Sequence, residues 1–384
     1  MHVLVIPSFY PDESNILNGI FVREQVRALS DELSKINVIY SEQRSLREFN
    51  LTNLRSSYFQ FHSIKDDNWS ELSFKGWNLP TILGKHIWIY NSLRLFKKYI
   101  KIFGKPDLIH AHNIFNSGFV ASAISKKYNI PFVITEHDSA FVMKSYSKNK
   151  LITASNIFKE ASKVLAVSNS LKLVLEEITP NLKVNVVPNI INPMFFNKPK
   201  KYKKINDRST SRFIAIGNLN KNKGHILLLN SFSIISKEKV TLEIIGDGPE
   251  RENILKKINE LGLQKKIKLL GKLKPEEIYN KLIDSDCLVH ASDHETFGVV
   301  LIEALATGIP FISTKSGGPE DIFETGFGYL VEKNNINKLS EAMLIFLQNK
   351  NNFNKSVIRK SAFNKYSPKS ISLNLKNIYH SVIN

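Results

Sequence analysis

Ser292-Asp293-His294-Glu295-Thr296-Phe297-Gly298-Val299-Val300-Leu301-Ile302-Glu303-Ala304-Leu305-Ala306-Thr307-Gly308-Ile309-Pro310 is the stretch on which the reading of this chain turns. The apolar run Cys287-Leu288-Val289-His290 precedes it, and a polar turn carrying Gly298 follows that run. From Val299 the apolar positions Val299, Leu301, Ile302, Ala304 and Leu305 take helical spacing, and Gly308 and Pro310 stop it. Strand, glycine loop and helix in that order expose free backbone N–H groups at the positive end of a helix dipole, a ready site for phosphate. Gly298 lets the backbone approach a ligand closely, and the helix presents Glu303 about one and a half turns further on.

The same order recurs along the chain. Phe213-Ile214-Ala215-Ile216-Gly217-Asn218-Leu219-Asn220-Lys221-Asn222-Lys223-Gly224 reads as strand, polar loop and Lys-Gly before an apolar helix, again suggesting a phosphate site. Residues 3–6 read as a buried strand, followed by a polar loop to Asn18-Gly19 and a helical pattern from Ile20 to Leu29, without the G-x-G-x-x-G of a dinucleotide site. Residues 107–112 and 131–138 are strands ending in polar residues. Ligands of parallel α/β sheets lie beyond the carboxyl ends of strands, which places His112 and His137 well.

Glu295-x7-Glu303 with Phe297-Gly298 inside, then Glu303-Ala304-Leu305-Ala306-x-Gly308-x-Pro310 and Gly317-Gly318-Pro319-Glu320, resembles glycosyltransferase family 4 (group 1) over nearly the whole chain. The resemblance implies an α/β GT-B fold: two Rossmann-like α/β domains facing across a cleft, with a C-terminal helix crossing back to the first. It implies a retaining transfer from a nucleotide-diphosphate sugar, UDP- or GDP-linked, to the hydroxyl of a saccharide or lipid-linked saccharide, in cell-surface polysaccharide or glycolipid synthesis. No metal or other cofactor is expected. By the resemblance, Glu295 contacts the donor sugar, Lys223 and the backbone at Phe297, Gly298 and Val299 hold the diphosphate, and Glu303 accepts from ribose hydroxyls. Gly19 and Gly217 match loop glycines on the donor side. His137 matches a histidine facing the transferred sugar, and His110 and His112 match a His-x-His on the preceding strand. Asn218 stands where the family usually has Arg, which removes a fixed charge and a bidentate fork. Lys221 and Arg251 are the candidates to compensate.

The 384 residues suit two domains. Residues 1–192 read as the acceptor domain with a helix at about 367–384, residues 193–212 as a basic linker around Lys198-Pro199-Lys200-Lys201-Tyr202-Lys203-Lys204, and residues 213–366 as the donor domain. A hydrophobic content of 42% and a charged content of 23% are ordinary for a globular protein. The lone Cys287, among apolar neighbours, excludes an internal disulfide framework and reads as a core thiol. The N-terminus lacks the charged region and cleavage site of a secretory signal, and no apolar run is long enough for a membrane span, so a cytoplasmic location is expected. The net charge of +18 arises in a chain rich in Lys, Asn and Ile, a bias that AT-rich coding produces. With no zinc spacing, RNA-binding aromatics or basic recognition helix, nucleic acid is not an expected partner.

Between Glu42 and Pro80 the aromatics scatter without clear period. After it, Ile89, Leu93, Phe96, Ile100 and Phe103 fall on one helical face, with Trp88, Leu95, Tyr99 and Ile102 beside it. Arg94, Lys97, Lys98 and Lys101 fill the rest. Such a basic amphipathic helix either packs on a sheet, the commoner arrangement, or lies peripherally on an anionic membrane at its inner face. Asp284-Ser285-Asp286 has Asp-x-Asp form but sits at a helix end, where capping or surface roles explain it, and no metal is assigned. Three rival readings are a nucleotide-sugar epimerase, an NAD-dependent oxidoreductase without its glycine fingerprint, and a non-catalytic nucleotide-sugar-binding GT-B protein, which Asn218 suggests. A retaining glycosidase, whose carboxylates face each other about 5 Å apart across a sugar, fits less well than distinct donor-side roles for Glu295 and Glu303.

Overall fold

Two largely parallel sheets carry the molecule, and their central strands are buried on both faces. The computed structural model describes residues 1–11, 18–45, 61–65, 68–78, 81–198 and 210–384. One compact unit comprises Met1–Val167, Leu171–Ile190 and Pro368–Asn384, and the other Ser168–Ser170 and Ile191–Ser367.

In the first unit the strands are β1 (His2–Pro7), β2 (Lys35–Ser45), β3 (Phe61–Lys65), β4 (Trp69–Asn78), β5 (Leu108–His112), β6 (Phe132–Glu136), β7 (Lys163–Ala166) and β8 (Val184–Val186). They lie in the order β3-β4-β2-β1-β5-β6-β7-β8, parallel except for β3 against β4. Near-continuous apolar runs such as Val3-Leu4-Val5-Ile6 are what helices on both faces of a parallel sheet require. The C-terminal helix Pro368–Ile383 belongs to this unit. Its Ile371, Leu375 and Tyr379 share a core with Val22, Val26 and Leu29 of the helix Ile20–Ser30.

In the second unit β9 (Ser211–Ile216), β10 (Val240–Ile245), β11 (Ile267–Gly271), β12 (Cys287–His290), β13 (Phe311–Thr314) and β14 (Gly328–Val331) form an all-parallel sheet in the order β11-β10-β9-β12-β13-β14. Phe213, Phe232, Met343 and Phe346 anchor its core. Cys287 is buried in that core, and burial pushes its thiol well up, as befits an inert core residue.

Strand order reverses at β1/β5 in the first sheet and at β9/β12 in the second. At such switch points neighbouring loops diverge above the strand ends and leave a crevice. The loops after β9 and β12 carry Lys223 and Glu295; those after β1 and β5 adjoin the histidine-bearing strand ends.

Three expectations are refined. The basic helix spans Thr81–Phe103, and its buried side is centred on Trp88, Leu95, Phe96 and Tyr99, whereas Ile102 is exposed. Polar tips turn this face inward: the Trp88 indole donates to the Ser41 carbonyl at 2.8 Å, and the Asn37 amide donates to Tyr99 Oη at 3.1 Å. Within the stretch read as linker, Pro193–Phe196 is a 3₁₀ turn whose Phe195 and Phe196 are buried; residues 199–209, which hold most of the charge run, lie outside the described residues. Asp286 is not a surface residue, for it is buried and accepts the Arg212 backbone N–H at 2.8 Å. Among the described residues no helix is long and apolar enough to cross a membrane.

Candidate active site

Lys223 and Glu295 meet at the β9/β12 switch point. Lys223 Nζ lies 2.5 Å from Glu295 Oε2, and His290 Nε2 lies 3.1 Å from the same oxygen. Both bonds go to Oε2, which leaves Oε1 of Glu295 free of these partners. The backbone places the carboxylate. The Asn222 amide donates to the His294 carbonyl at 2.8 Å and accepts its N–H at 3.1 Å, which joins the two loops. Glu295 N–H donates to the Ser316 carbonyl at 2.9 Å, and its own carbonyl accepts from Gly318 N–H at 2.7 Å.

Burial alone would raise the Glu295 pKa, but the His290 hydrogen bond and the Lys223 charge hold it well below the usual carboxylate range. Burial lowers that of His290, despite its acidic neighbour. Glu295 is therefore an ionised carboxylate bridging an ammonium and a neutral imidazole that donates from Nε2. His290 went unread in the sequence, where it closes an apolar run; the available signal was a polar residue at the carboxyl end of a central strand. His225, directly after Gly224, is buried nearby, and burial lowers it to about 4 although the Asn218 backbone hydrogen-bonds its ring.

Gly298 caps the helix Val299–Ala306 at φ 96°, a left-handed conformation, and a Cβ there would lie 3.1 Å from Leu301 Cδ1. Among the described residues the N–H groups of Phe297, Gly298 and Val299 donate no hydrogen bond, so this helix start is available to an anion. Further along the helix, burial raises the Glu303 carboxyl to about 8, and no described residue pairs with it. A carboxyl of this kind gains most from ligand hydroxyls that donate to it.

The remaining donor-side residues divide. Gly217 directly follows β9 with the Lys223 methylenes against it, 3.6 Å from where a Cβ would be. Asn218 is exposed beside it. Lys221 is exposed on the turn Lys221–Lys223 and Arg251 opens the helix Arg251–Glu260; neither forms an ion pair among the described residues.

In the first unit, Gly19 caps the helix Ile20–Ser30 at φ 65°, and a Cβ there would fall 2.4 Å from the Phe9 carbonyl oxygen. Close packing alone explains this glycine. His137 follows β6 and its Nε2 lies 3.0 Å from His112 Nδ1. Glu136 fixes the turn by accepting from the His137 and Asp138 N–H groups at 2.9 Å each and from Ile114 N–H at 2.8 Å.

Two family models match consecutive parts of the chain: Glycosyltransferase Family 4 over residues 59–195 and Glycosyl transferases group 1 over residues 197–364. The chain belongs to the group 1, family 4 glycosyltransferases. An uncharacterized glycosyltransferase of Methanocaldococcus jannaschii is 29% identical over 76% of this chain and 80% of its own length. A putative teichuronic acid biosynthesis glycosyltransferase of Bacillus subtilis is 26% identical over 89% of this chain and 88% of its own. Among solved structures, Anabaena HepE in complex with UDP and glucose superposes with a TM-score of 0.73 at 19% identity, covering 99% of this chain and 100% of that one. The glycosyltransferase thus has the GT-B fold, two parallel-sheet α/β domains with the C-terminal helix in the first.

Proposed function

We propose that this glycosyltransferase moves a sugar from a UDP- or GDP-linked donor to a hydroxyl of a saccharide or lipid-linked saccharide, retaining anomeric configuration, in the assembly of a cell-surface polysaccharide or glycolipid. What carries the reading is one arrangement: the Lys223–Glu295 pair, the unpaired N–H groups at Phe297 to Val299 and the unpartnered Glu303 all belong to one switch point. HepE, solved with UDP and glucose, and the putative teichuronic acid biosynthesis glycosyltransferase support this reading of donor and acceptor.

As the bond from sugar to diphosphate breaks, negative charge gathers on the departing oxygen. Fixed N–H donors at the helix start stabilise it without reorganising, and Lys223 adds a cation from one side. Glu303 accepts from the ribose hydroxyls. Glu295 spends Oε2 on Lys223 and His290 and offers Oε1 to a sugar hydroxyl, so it orients the donor. A carboxylate so strongly stabilised is a poor nucleophile, which fits attack by the acceptor on the face from which the diphosphate leaves. Gly217 and Asn218 border the diphosphate, Gly19 shapes the loop of the first unit, and His137 hydrogen-bonds the transferred sugar. No step requires a metal.

The test is calorimetric titration of the wild type and Glu303→Ala with UDP, GDP and ADP, then a sugar-nucleotide turnover screen. Tight binding of one diphosphate, weakened in the variant, supports the reading; binding of none would overturn it. Asn218 in place of a fork-shaped cation favours one alternative, a donor-binding protein without turnover, which any acceptor-dependent release of diphosphate excludes.

A further inference from the structure

The first unit contains a buried run of polar rings of which the proposed transfer uses only the end. Tyr379 Oη, from the C-terminal helix, is 2.6 Å from His110 Nδ1, and His110 Nε2 is 2.7 Å from Thr135 Oγ1. The Gln25 amide nitrogen lies 3.4 Å from His110 Nδ1 and 3.3 Å from His112 Nε2. His112 Nδ1 reaches His137 Nε2 at 3.0 Å. Gln25, His110, His112 and Tyr379 are all buried.

An amide NH₂ has two hydrogens and no lone pair to offer, so a ring nitrogen facing it must accept. His110 Nδ1 and His112 Nε2 are therefore unprotonated. A neutral imidazole carries one proton, which lies on Nε2 in His110, donated to Thr135, and on Nδ1 in His112, donated to His137 Nε2. That bond leaves the proton of His137 only one place, Nδ1. Burial supports the neutral forms, lowering His110 and His137 to about 3 and His112 well below the ordinary value. His137 Nδ1 is buried, the Asn189 side chain hydrogen-bonds the His137 ring, and Phe21 holds that ring at a centroid distance of 4.5 Å.

We propose that Gln25 sets the proton order of this relay, with Tyr379 as second positioning residue, so that His137 keeps a fixed Nδ1–H, shared between the Asn189 side chain and an oxygen of the bound substrate. His137 is then a hydrogen-bond donor to a sugar or acceptor hydroxyl and not a base. The identity of that oxygen rests on the transfer reading above; the proton order does not.

Long-range proton–nitrogen correlation spectra of the full chain, labelled with nitrogen-15 histidine, read the tautomers without any ligand. At neutral pH His112 and His137 should be Nδ1–H and His110 Nε2–H. An Nε2–H or doubly protonated His137 would overturn the proposal, and would do so whether or not nucleotide binds. Gln25→Glu replaces a donor by an acceptor and should reverse the order, turning His137 Nδ1 into an acceptor. In that variant kcat should fall about tenfold, one hydrogen bond's worth, with the KM for the nucleotide sugar unchanged. An unchanged tautomer pattern in Gln25→Glu would sink the idea. If that variant fails to fold, Gln25→Met should show mixed tautomers at His112 and His137, and a single retained order would equally refute it.

Discussion

Lys223 Nζ and Glu295 Oε2 lie 2.5 Å apart, so the loop after β9 and the loop after β12 are held together by opposite charges that cancel. The pair is largely withdrawn from water, with side-chain exposures of 22% and 16%. Removing one partner of such a pair strands the other. Lys223→Met or Glu295→Gln should each cost about 1–3 kcal/mol of stability, and the double variant should cost clearly less than their sum. Chemical denaturation of the four proteins checks this; strict additivity would mean that the two charges do not interact. In calorimetry, Lys223→Met should also weaken nucleoside-diphosphate binding about tenfold or more.

Acid should unfold the second unit partly through Glu295. Its folded pKa is depressed below the ordinary 4.5, so its contribution is fully present above that pH and is lost as pH falls further. Thermal melting between pH 3 and about pH 7 should show a shallower acid slope in Glu295→Gln than in the wild type. Parallel slopes would show that the carboxylate titrates normally.

Glu303 has the opposite sign. Its folded pKa is raised from 4.5 to about 8, so the unfolded chain gives up this proton first and stability falls as pH rises through that window. Glu303→Gln should match the wild type near pH 4.5 and melt higher near pH 8. Ribose hydroxyls donating to the carboxylate favour its charged form. Binding of a nucleoside diphosphate at pH 7 should therefore release close to one proton, seen as a buffer-dependent heat, and Glu303→Gln should abolish it.

Gly298→Ala forces a Cβ into a left-handed position, at about 1–2 kcal/mol, with Leu301 Cδ1 already 3.1 Å away. The helix start shifts and its N–H groups lose their aim. Diphosphate affinity should fall more than the melting temperature implies; an unchanged affinity would remove the helix start from the site.

Asn218→Arg should restore a charged fork at an exposed position and tighten diphosphate binding by about tenfold at low salt, with a steeper salt dependence. An unaltered affinity would place this loop residue outside the diphosphate's reach.

The strand–loop–helix order made the central strands legible, and with them both switch-point loops, because buried parallel strands are uninterrupted apolar runs. The edge was harder. β4 interleaves buried Ser70, Glu71 and Ser73 with Trp69, Leu72 and Phe74, so no apolar run announces it. On the Thr81–Phe103 helix the indole of Trp88 and the hydroxyl of Tyr99 reach inward to polar groups of β2, which shifts the buried face away from the most apolar stripe. Lys223 and Glu295 were each readable from their loops, but 72 residues separate them and only the sheet brings them together. His290 and Gln25 were illegible for the same reason. Their meaning lies in what faces them across neighbouring elements.

The C-terminal helix inverts the order in which the molecule can be completed. The second unit is almost continuous in the chain, from Ile191 to Ser367, and can close its core as soon as that segment is available. The first unit starts earlier in the chain but lacks Ile371, Leu375 and Tyr379 until the helix that carries them has followed the second unit. During synthesis the earliest strands must wait with an apolar face uncovered, and the His110 ring waits with them for the Tyr379 hydroxyl. The half made first is therefore the half finished last.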